Sequence, residues 1–372
     1  MLAKLITSLK NMDWILMLSV FLLVCLGLVE LYSVSSGQGG IELLNFKKQL
    51  FFVMAGFIIM ILLVMTDYYF FYSYNNYFYL FGLIILTAVL FLGTPIHGTK
   101  SWFNVFGLGL QPVELVKFIL IIFLARYFSA VYVSANVIKH LVATGFGTLI
   151  FIILVLLQPD LGSAFILLII WLIMVALIGL PKRYLLAIAT IFLIITVIFW
   201  NFFFKDYQKD RIISFISPIS SLEEDYHKDY NVNQSMIAIG AGGWLGKGLG
   251  FGSQSQLRFL PEASTDFIFA VVAEELGFVG VILTLLFFAI FFYRVLKHLP
   301  NINNDFGIFF ILGGAGLIFI EMFINIGMNM GLLPVIGIAL PFLSYGGSAM
   351  ISNLIIVGVM QSIIVRSKIK NY

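Results

Sequence analysis

The sequence predicts an all-α integral membrane protein of about ten transmembrane helices, with a large loop between the seventh and the eighth. Three observations carry this. Of the 372 residues, 61% are hydrophobic and only 10% charged, against about 25% charged in soluble domains, and the mean hydropathy is +1.07. Apolar runs recur at spanning length, roughly 20 residues each. Lysine and arginine are also divided unequally between the segments that join those runs. The 39 Phe and 16 Tyr suit lipid-facing helices with aromatic residues at the interfaces.

The spans are expected near 14–34, 46–66, 74–92, 112–130, 141–157, 162–180, 184–204, 265–292, 306–333 and 340–365. The first follows MLAKLITSLKNMDW, which has the charged flank of a signal sequence. The run after it lacks a small-residue cleavage site and is long enough to cross, so it reads as an uncleaved first helix. Only QPDLG separates the fifth span from the sixth, a turn at or just inside the interface. The long loop, 205–264, begins with the charged stretches KDYQKDRIISFISP and SSLEEDYHKDYN. It continues with QSMIAIGAGGWLGKGLGFGSQSQLRFL, whose apolar part is too short to span and is expected to dip into the interface. No internal repeat, low-complexity tract or soluble domain stands out, so residues 1–372 read as one polytopic unit.

Placing the N-terminus inside puts Lys4, Lys10, Arg126, Lys139, Lys182, Arg183, Arg294, Lys297, Arg366, Lys368 and Lys370 on the inner side. The short outer segments then hold Lys47, Lys48 and Lys100. Both termini are expected in the cytoplasm. QPDLG, GTKSWFNVFGLGLQP, the long loop and LPVIGIALPFLSYGGS all fall outside, so any chemistry is expected at the outer leaflet.

Some classes are excluded. Cys25, the sole cysteine, lies in the first span, which rules out an internal disulfide and thiolate metal clusters. A net charge of +3 without a basic stripe gives no sign of nucleic-acid binding. His97, His140, His227 and His298 are scattered and form no metal pattern.

Ionisable residues inside apolar runs are the candidates for function. In QPVELVKF, Pro112 suits a first helical turn, and Glu114 and Lys117 fall three apart on one face. A structural ion pair and a functional one are equally good readings. Asp160, in QPDLG, suits an N-cap and also a break lining a polar cavity. GAGGWLGKGLGFG carries Lys247 but lacks P-loop spacing, which favours a flexible turn; a nest of N–H groups with a lysine still suits a diphosphate. Asp266 lies in the first turn of the eighth span among Phe267, Ile268 and Phe269. It reads either as a complement to the helix dipole or as a general base set by burial and a nearby cation. Glu274 and Glu275, two turns deeper, are given structural roles, and Glu262 is placed on the exposed loop side. Asn325, Asn329, Ser344 and Tyr345 add hydrogen-bonding groups around the Gly- and Pro-rich turn between the last two spans.

Taken in order, GTKSWFNVFGLGLQPVELVKF, QPDLGSA, DRI, QSMIAIGAGGWLGKGLG, FLPEASTDFIFAVVAEELGFVG and NIGMNMGLLPVIGIALPFLSYGGS resemble the SEDS family (shape, elongation, division and sporulation) of bacterial membrane proteins, over most of the chain. The resemblance implies ten transmembrane helices in the cytoplasmic membrane and a peptidoglycan glycosyltransferase that polymerises lipid II on its outer side. It implies that Asp266 is catalytic and that Glu114, Lys117 and Asp160 line the same polar cavity. Lys100 and Trp102 match a motif whose basic residue is replaced here by Ser101. Ser264 stands where the family usually has histidine, which argues against an essential imidazole there.

The expected mechanism has Asp266 take the proton of the acceptor sugar's 4-hydroxyl, whose oxygen attacks the anomeric carbon of the donor as the lipid diphosphate leaves. Lys117, Lys247 and Arg258, in that order, or a divalent cation (Mg2+ or Mn2+), would stabilise the diphosphate. The metal ligands are unknown. Ser344 and Tyr345 are counted with the cavity. The expected partners are membrane lipids and a class B penicillin-binding protein. The short termini and GSQSQLRFLPE favour the elongation branch (RodA) over the division branch (FtsW). A lipid-precursor flippase and a non-catalytic scaffold are the rival readings; the concentration of polar residues at one face argues against the first.

Overall fold

The computed structural model describes residues 8–38, 40–96, 99–105, 108–130, 137–184, 186, 190 and 230–370. The expected seventh span and the first half of the long loop lie almost wholly outside them. The described helices are α1 (Trp14–Gln38), α2 (Gly40–Met65), the short α3 (Tyr69–Ser73), α4 (Asn75–Leu92), α5 (Pro112–Ser129), α6 (Val137–Leu156), α7 (Leu161–Leu177), α8 (Tyr230–Gly242), the short α9 (Ser253–Gln256), α10 (Ile268–His298), α11 (Asp305–Asn329) and α12 (Gly347–Lys370). Seven of these are long and apolar enough to cross a membrane: α1, α2, α4, α6, α10, α11 and α12. α5 has the length but carries Glu114, Lys117 and Arg126, and α7 is apolar but stops at 17 residues. The protein is thus an all-α integral membrane protein, and these seven helices overlap seven of the ten segments that the hydropathy pattern picks out.

Burial ranks the helices. Almost every residue of α5 except Glu114, Leu115, Arg126 and Tyr127 is buried, because α4, α6, α7, α11 and α12 pack around it. A helix apolar on all sides is stable in such a position. Close approach depends on small residues: a Cβ on Gly358 of α12 would lie 3.0 Å from the Met60 Cα of α2.

Two segments between the spans form regular elements. The loop before α5 is a three-stranded antiparallel sheet of β1 (Thr94–Ile96), β2 (Thr99–Val105) and β3 (Leu108–Leu110), with Thr94 opposite Trp102 and Phe103 opposite Leu110. Its glycines read as loop, while the alternation in TKSWFNV allows a strand. Within the long loop, α8 rises only about 20 Å, too little to span. It packs against α10, with Ser235, Ala238 and Gly242 buried and Met236 and Ile237 exposed.

α10 is broken. Gly277 has φ 66° and ψ −161° inside it, and the loop after α8 fills the gap. The N–H groups of Lys247 and Gly248 donate to the carbonyls of Glu274 and Glu275 (3.0 and 2.9 Å), while those of Phe278 and Val279 donate to Gly243 and Trp244 (2.9 and 3.2 Å). The freed helix groups are therefore satisfied by protein, the condition for broken helices at membrane depth.

Candidate active site

Four interrupted segments meet at one end of the bundle: 111–117, 158–163, 262–270 and 325–348. Asp266 sits half-buried just before α10. The residue that caps α10 is Phe267, which supplies no side-chain bond. Asn329 of α11 does part of that work from across the bundle, its Oδ1 accepting from the N–H of Ala270 at 3.3 Å. The backbone around Asp266 is clamped. Three consecutive carbonyls each accept from α11 or the turn after it: Ser264 from the N–H of Tyr345 (2.8 Å), Thr265 from the Ser344 hydroxyl (2.6 Å), and Asp266 from the Nδ2 of both Asn325 (2.9 Å) and Asn329 (3.0 Å). Gly337, at φ 76°, leaves room for the carboxylate: a Cβ there would lie 3.4 Å from Asp266 Oδ2. Arg258, Glu262 and Phe342, flanking this segment, also have positive φ. Such conformations cost energy and persist where surrounding structure fixes them.

Asp160 joins the same framework. Its Oδ1 caps α7 on Ser163 N (3.0 Å), while its Oδ2 accepts from the Ser163 hydroxyl (2.7 Å) and from Gln111 Nε2 (3.2 Å). It caps α7, the first of its two readings, and its bond to Gln111 ties that helix to the start of α5. Next to it, a Cβ on Gly162 would lie 2.8 Å from the Ile336 carbonyl. Residues 336–337 thus lie between the Asp160 turn and Asp266.

Lys117, one turn into α5, is buried between two carboxylates, 2.8 Å from Glu114 Oε1 and 2.7 Å from Glu321 Oε1. Glu321 went unremarked in the sequence. It lies mid-run in α11, and its signal is a buried acid four residues before Asn325 and eight before Asn329, one stripe of a single helix. Ser352 of α12 donates to the Glu114 carbonyl at 2.7 Å, and Ser348 to no lesser effect accepts from Gln111 N at 2.8 Å.

The remaining candidates are placed differently. Lys247 contacts Glu274 Oε1 at 3.1 Å and the Ser253 hydroxyl at 2.7 Å. Glu274 also accepts from the N–H groups of Gln254 and Ser255. Glu275 accepts from the Ser33 hydroxyl and from Gln256 Nε2. Both acids hold the loop against α10 and α1, the structural part expected of them. Arg258 is exposed on its turn. Lys100 donates to the Phe91 carbonyl at 3.3 Å, and Trp102 covers Gly109 within the small sheet. Ser344 and Tyr345 hold the backbone before Asp266, as above. Among the described residues, no three His, Cys, Asp or Glu side chains converge on a point where a metal ion could sit. The described side chains therefore build no cation cage of their own.

Residues 13–369 match the model of the FtsW/RodA/SpoVE cell cycle proteins. The chain is 38% identical over 291 residues to the peptidoglycan glycosyltransferase MrdB of Escherichia coli K12, covering 77% of this chain and 76% of that protein. It is 32% identical over 370 residues to a probable peptidoglycan glycosyltransferase FtsW of Geobacter sp. M18, covering 96% and 98%. Among solved structures it resembles a chain of a peptidoglycan synthase complex that coordinates polymerisation and crosslinking, with TM-score 0.79, 27% identity and coverage of 96% and 98%. It also resembles the rod shape determining protein RodA of Thermus thermophilus, with TM-score 0.69, 27% identity and coverage of 95% and 96%.

Proposed function

Because the chain belongs to the FtsW/RodA/SpoVE family and is a peptidoglycan glycosyltransferase of that family, we propose that it joins the disaccharide units of lipid II into glycan strands, with Asp266 as the base. The observation that carries this is the clamp on three consecutive carbonyls at Ser264, Thr265 and Asp266. A general base needs fixed geometry before it needs a tuned pKa, and here one carboxylate is held by its backbone at the meeting point of four broken segments. The proton of the acceptor's 4-hydroxyl passes to Asp266. The oxygen bonds to the donor's anomeric carbon, and the bond from that carbon to the diphosphate oxygen breaks, its electron pair leaving with the diphosphate.

Of the three cationic candidates, Lys117 is buried whereas Lys247 and Arg258 are exposed, and we assign these two to the diphosphate. Lys117, held between two acids, instead aligns Glu114. A divalent cation, Mg2+ or Mn2+, would arrive on the diphosphate itself, since Mg2+ is commonly held by substrate phosphates with few protein ligands. The lysine and arginine bias supports cytoplasmic termini and an extracytoplasmic active site in the cell membrane. A class B penicillin-binding protein would crosslink the product. The likeness to the rod shape determining protein RodA supports a role in cell shape.

The test is polymerisation of lipid II by the purified protein, together with its transpeptidase partner, in the presence of Mg2+. Wild type should yield glycan polymer, and Asp266→Ala should lose at least about 10²-fold in rate, the scale set by general base catalysis. Undiminished polymer from Asp266→Ala would remove Asp266 from the chemistry. Transport of lipid II across vesicles without polymer would favour a flippase.

A further inference from the structure

α11 is a spanning helix, and its polar residues form one narrow stripe. Glu321, Asn325 and Asn329 recur every fourth residue, all are buried, and Asn325 and Asn329 are fully so. Amides buried at membrane depth are expensive unless each is paired, and here each is. Asn325 uses its two N–H bonds on the carbonyls of Asp266 (2.9 Å) and Ile338 (2.7 Å). Asn329 Nδ2 donates to Asp266 O (3.0 Å) and to Asn325 O (2.8 Å). Its Oδ1 faces Ala270 N and the Ser235 hydroxyl, each at 3.3 Å.

One carbonyl oxygen has two acceptor sites, and both amides converge on the carbonyl of Asp266. We propose that Asn325 and Asn329 are paired positioning residues for Asp266, the second able to hold the carbonyl when the first is lost. This inference rests on the reading of Asp266 as the base. A peptide unit gripped at its oxygen by two side chains of one helix is held against rotation, so the Cα–Cβ bond that carries the carboxylate keeps one direction. Asn325 reaches the turn at Ile338 as well, so the pair also fixes Asp266 relative to Gly337, which faces its carboxylate. With one amide gone, the other still holds the oxygen, but less firmly. With both gone, the half-buried carbonyl loses both of its amide donors and the peptide is less restrained. A displacement of about 1 Å at a reacting group costs on the order of 10²-fold in rate.

The experiment compares Asn325→Ala, Asn329→Ala and the double variant with wild type and Asp266→Ala, in lipid II polymerisation with Mg2+. Rates are taken per molecule of monodisperse, folded protein. Each single variant should lower kcat by about five-fold and the double variant by about 10²-fold or more, beyond the product of the singles, with KM for lipid II within about three-fold. A merely structural pair would lower the folded yield and melting temperature and leave kcat per folded molecule unchanged. That result, or a double variant equal to the product of the singles, would overturn the inference. If the double variant does not fold, Asn325→Ala decides, because it leaves the bond from Asn329 to Ala270 in place: an unchanged kcat would overturn the inference, and a five-fold loss at constant KM would support it. A wild type without polymer, or an Asp266→Ala that polymerises normally, would bring down the underlying reading and this inference with it. Active wild type, dead Asp266→Ala and a double variant at wild-type kcat would overturn this inference alone.

Discussion

The buried lysine of α5 is where a single residue is most exposed to test. Lys117 pairs with two acids at once, and its side chain is nearly inaccessible. Removing one partner of a buried ion cluster costs about 3–5 kcal/mol, whereas replacing the whole cluster by apolar groups is often neutral. Lys117→Met should therefore strand Glu114 and Glu321 and sharply lower the melting temperature and the yield of folded protein. Adding Glu321→Leu to it should recover much of the yield. If polymerisation recovers too, Lys117 is a packing device; if folded protein returns without activity, Lys117 acts on the reaction. This separates the two readings that the spacing of Glu114 and Lys117 alone leaves equal.

At the scale of elements, the break in α10 and the loop that fills it are one unit. The loop supplies hydrogen bonds to the four residues around Gly277, and Glu274 and Glu275 hold it down through Ser253, Gln254, Ser255 and Gln256. Gly277 is left-handed in φ, and a Cβ on it would come within 2.7 Å of the Leu245 carbonyl carbon. Gly277→Ala should lose about 1–3 kcal/mol from the backbone alone, with a further penalty from the clash, read as lost folded yield in detergent. Gly240→Ala on α8 is the contrast. A Cβ there meets nothing within 4 Å, and alanine favours a helix over glycine by about 0.5–1 kcal/mol, so the melting temperature should hold or rise.

Across the whole molecule, the bundle is pinned at both ends. Opposite the site, Asp13 caps α1 by accepting from the N–H groups of Ile15 and Leu16, and it takes Arg294 Nε at 2.9 Å and His298 Nε2. Gln361 of α12 pairs with the Asp13 backbone in both directions. One residue thus ties α1, α10 and α12 together. Burial alone would raise the Asp13 carboxyl, but the bonds from His298, Arg294 and the Leu16 N–H outweigh it and hold it well below the usual carboxylate range. A carboxyl depressed in the native state contributes stability that is complete above its unfolded pKa, about 3.9, and is lost as the pH falls through the native value. Asp13→Asn should lower the melting temperature throughout the neutral range, by the equivalent of about 1.5–3 kcal/mol. It should also flatten the loss of stability that wild type shows on strong acidification. A melting curve for Asp13→Asn that matches wild type from neutral to acid pH would show that the network adds nothing.

Hydropathy was enough for the seven spans among the described residues, because crossing a lipid bilayer demands length and apolarity that are written residue by residue along the chain. Glu114, Lys117, Asp160 and Asp266 could be picked out for the same reason: a charge in an apolar run stands out against its neighbours. What the chain could not display was partnership across helices. Nothing local marks Glu321 as the second partner of Lys117, because Lys117 lies on α5 and Glu321 on α11. Asn329 reads in the sequence as a hydrogen-bonding group, but that it takes on part of the capping of α10 depends on how α11 packs. The small sheet before α5 was hidden by its glycines, and the break at Gly277 lies inside a predicted span whose hydropathy carries across it despite Glu274 and Glu275. Sequence determined which segments enter the membrane and which residues are costly there; tertiary structure decided which of those costs are met by which partner, because the groups that satisfy them lie on helices tens or hundreds of residues away.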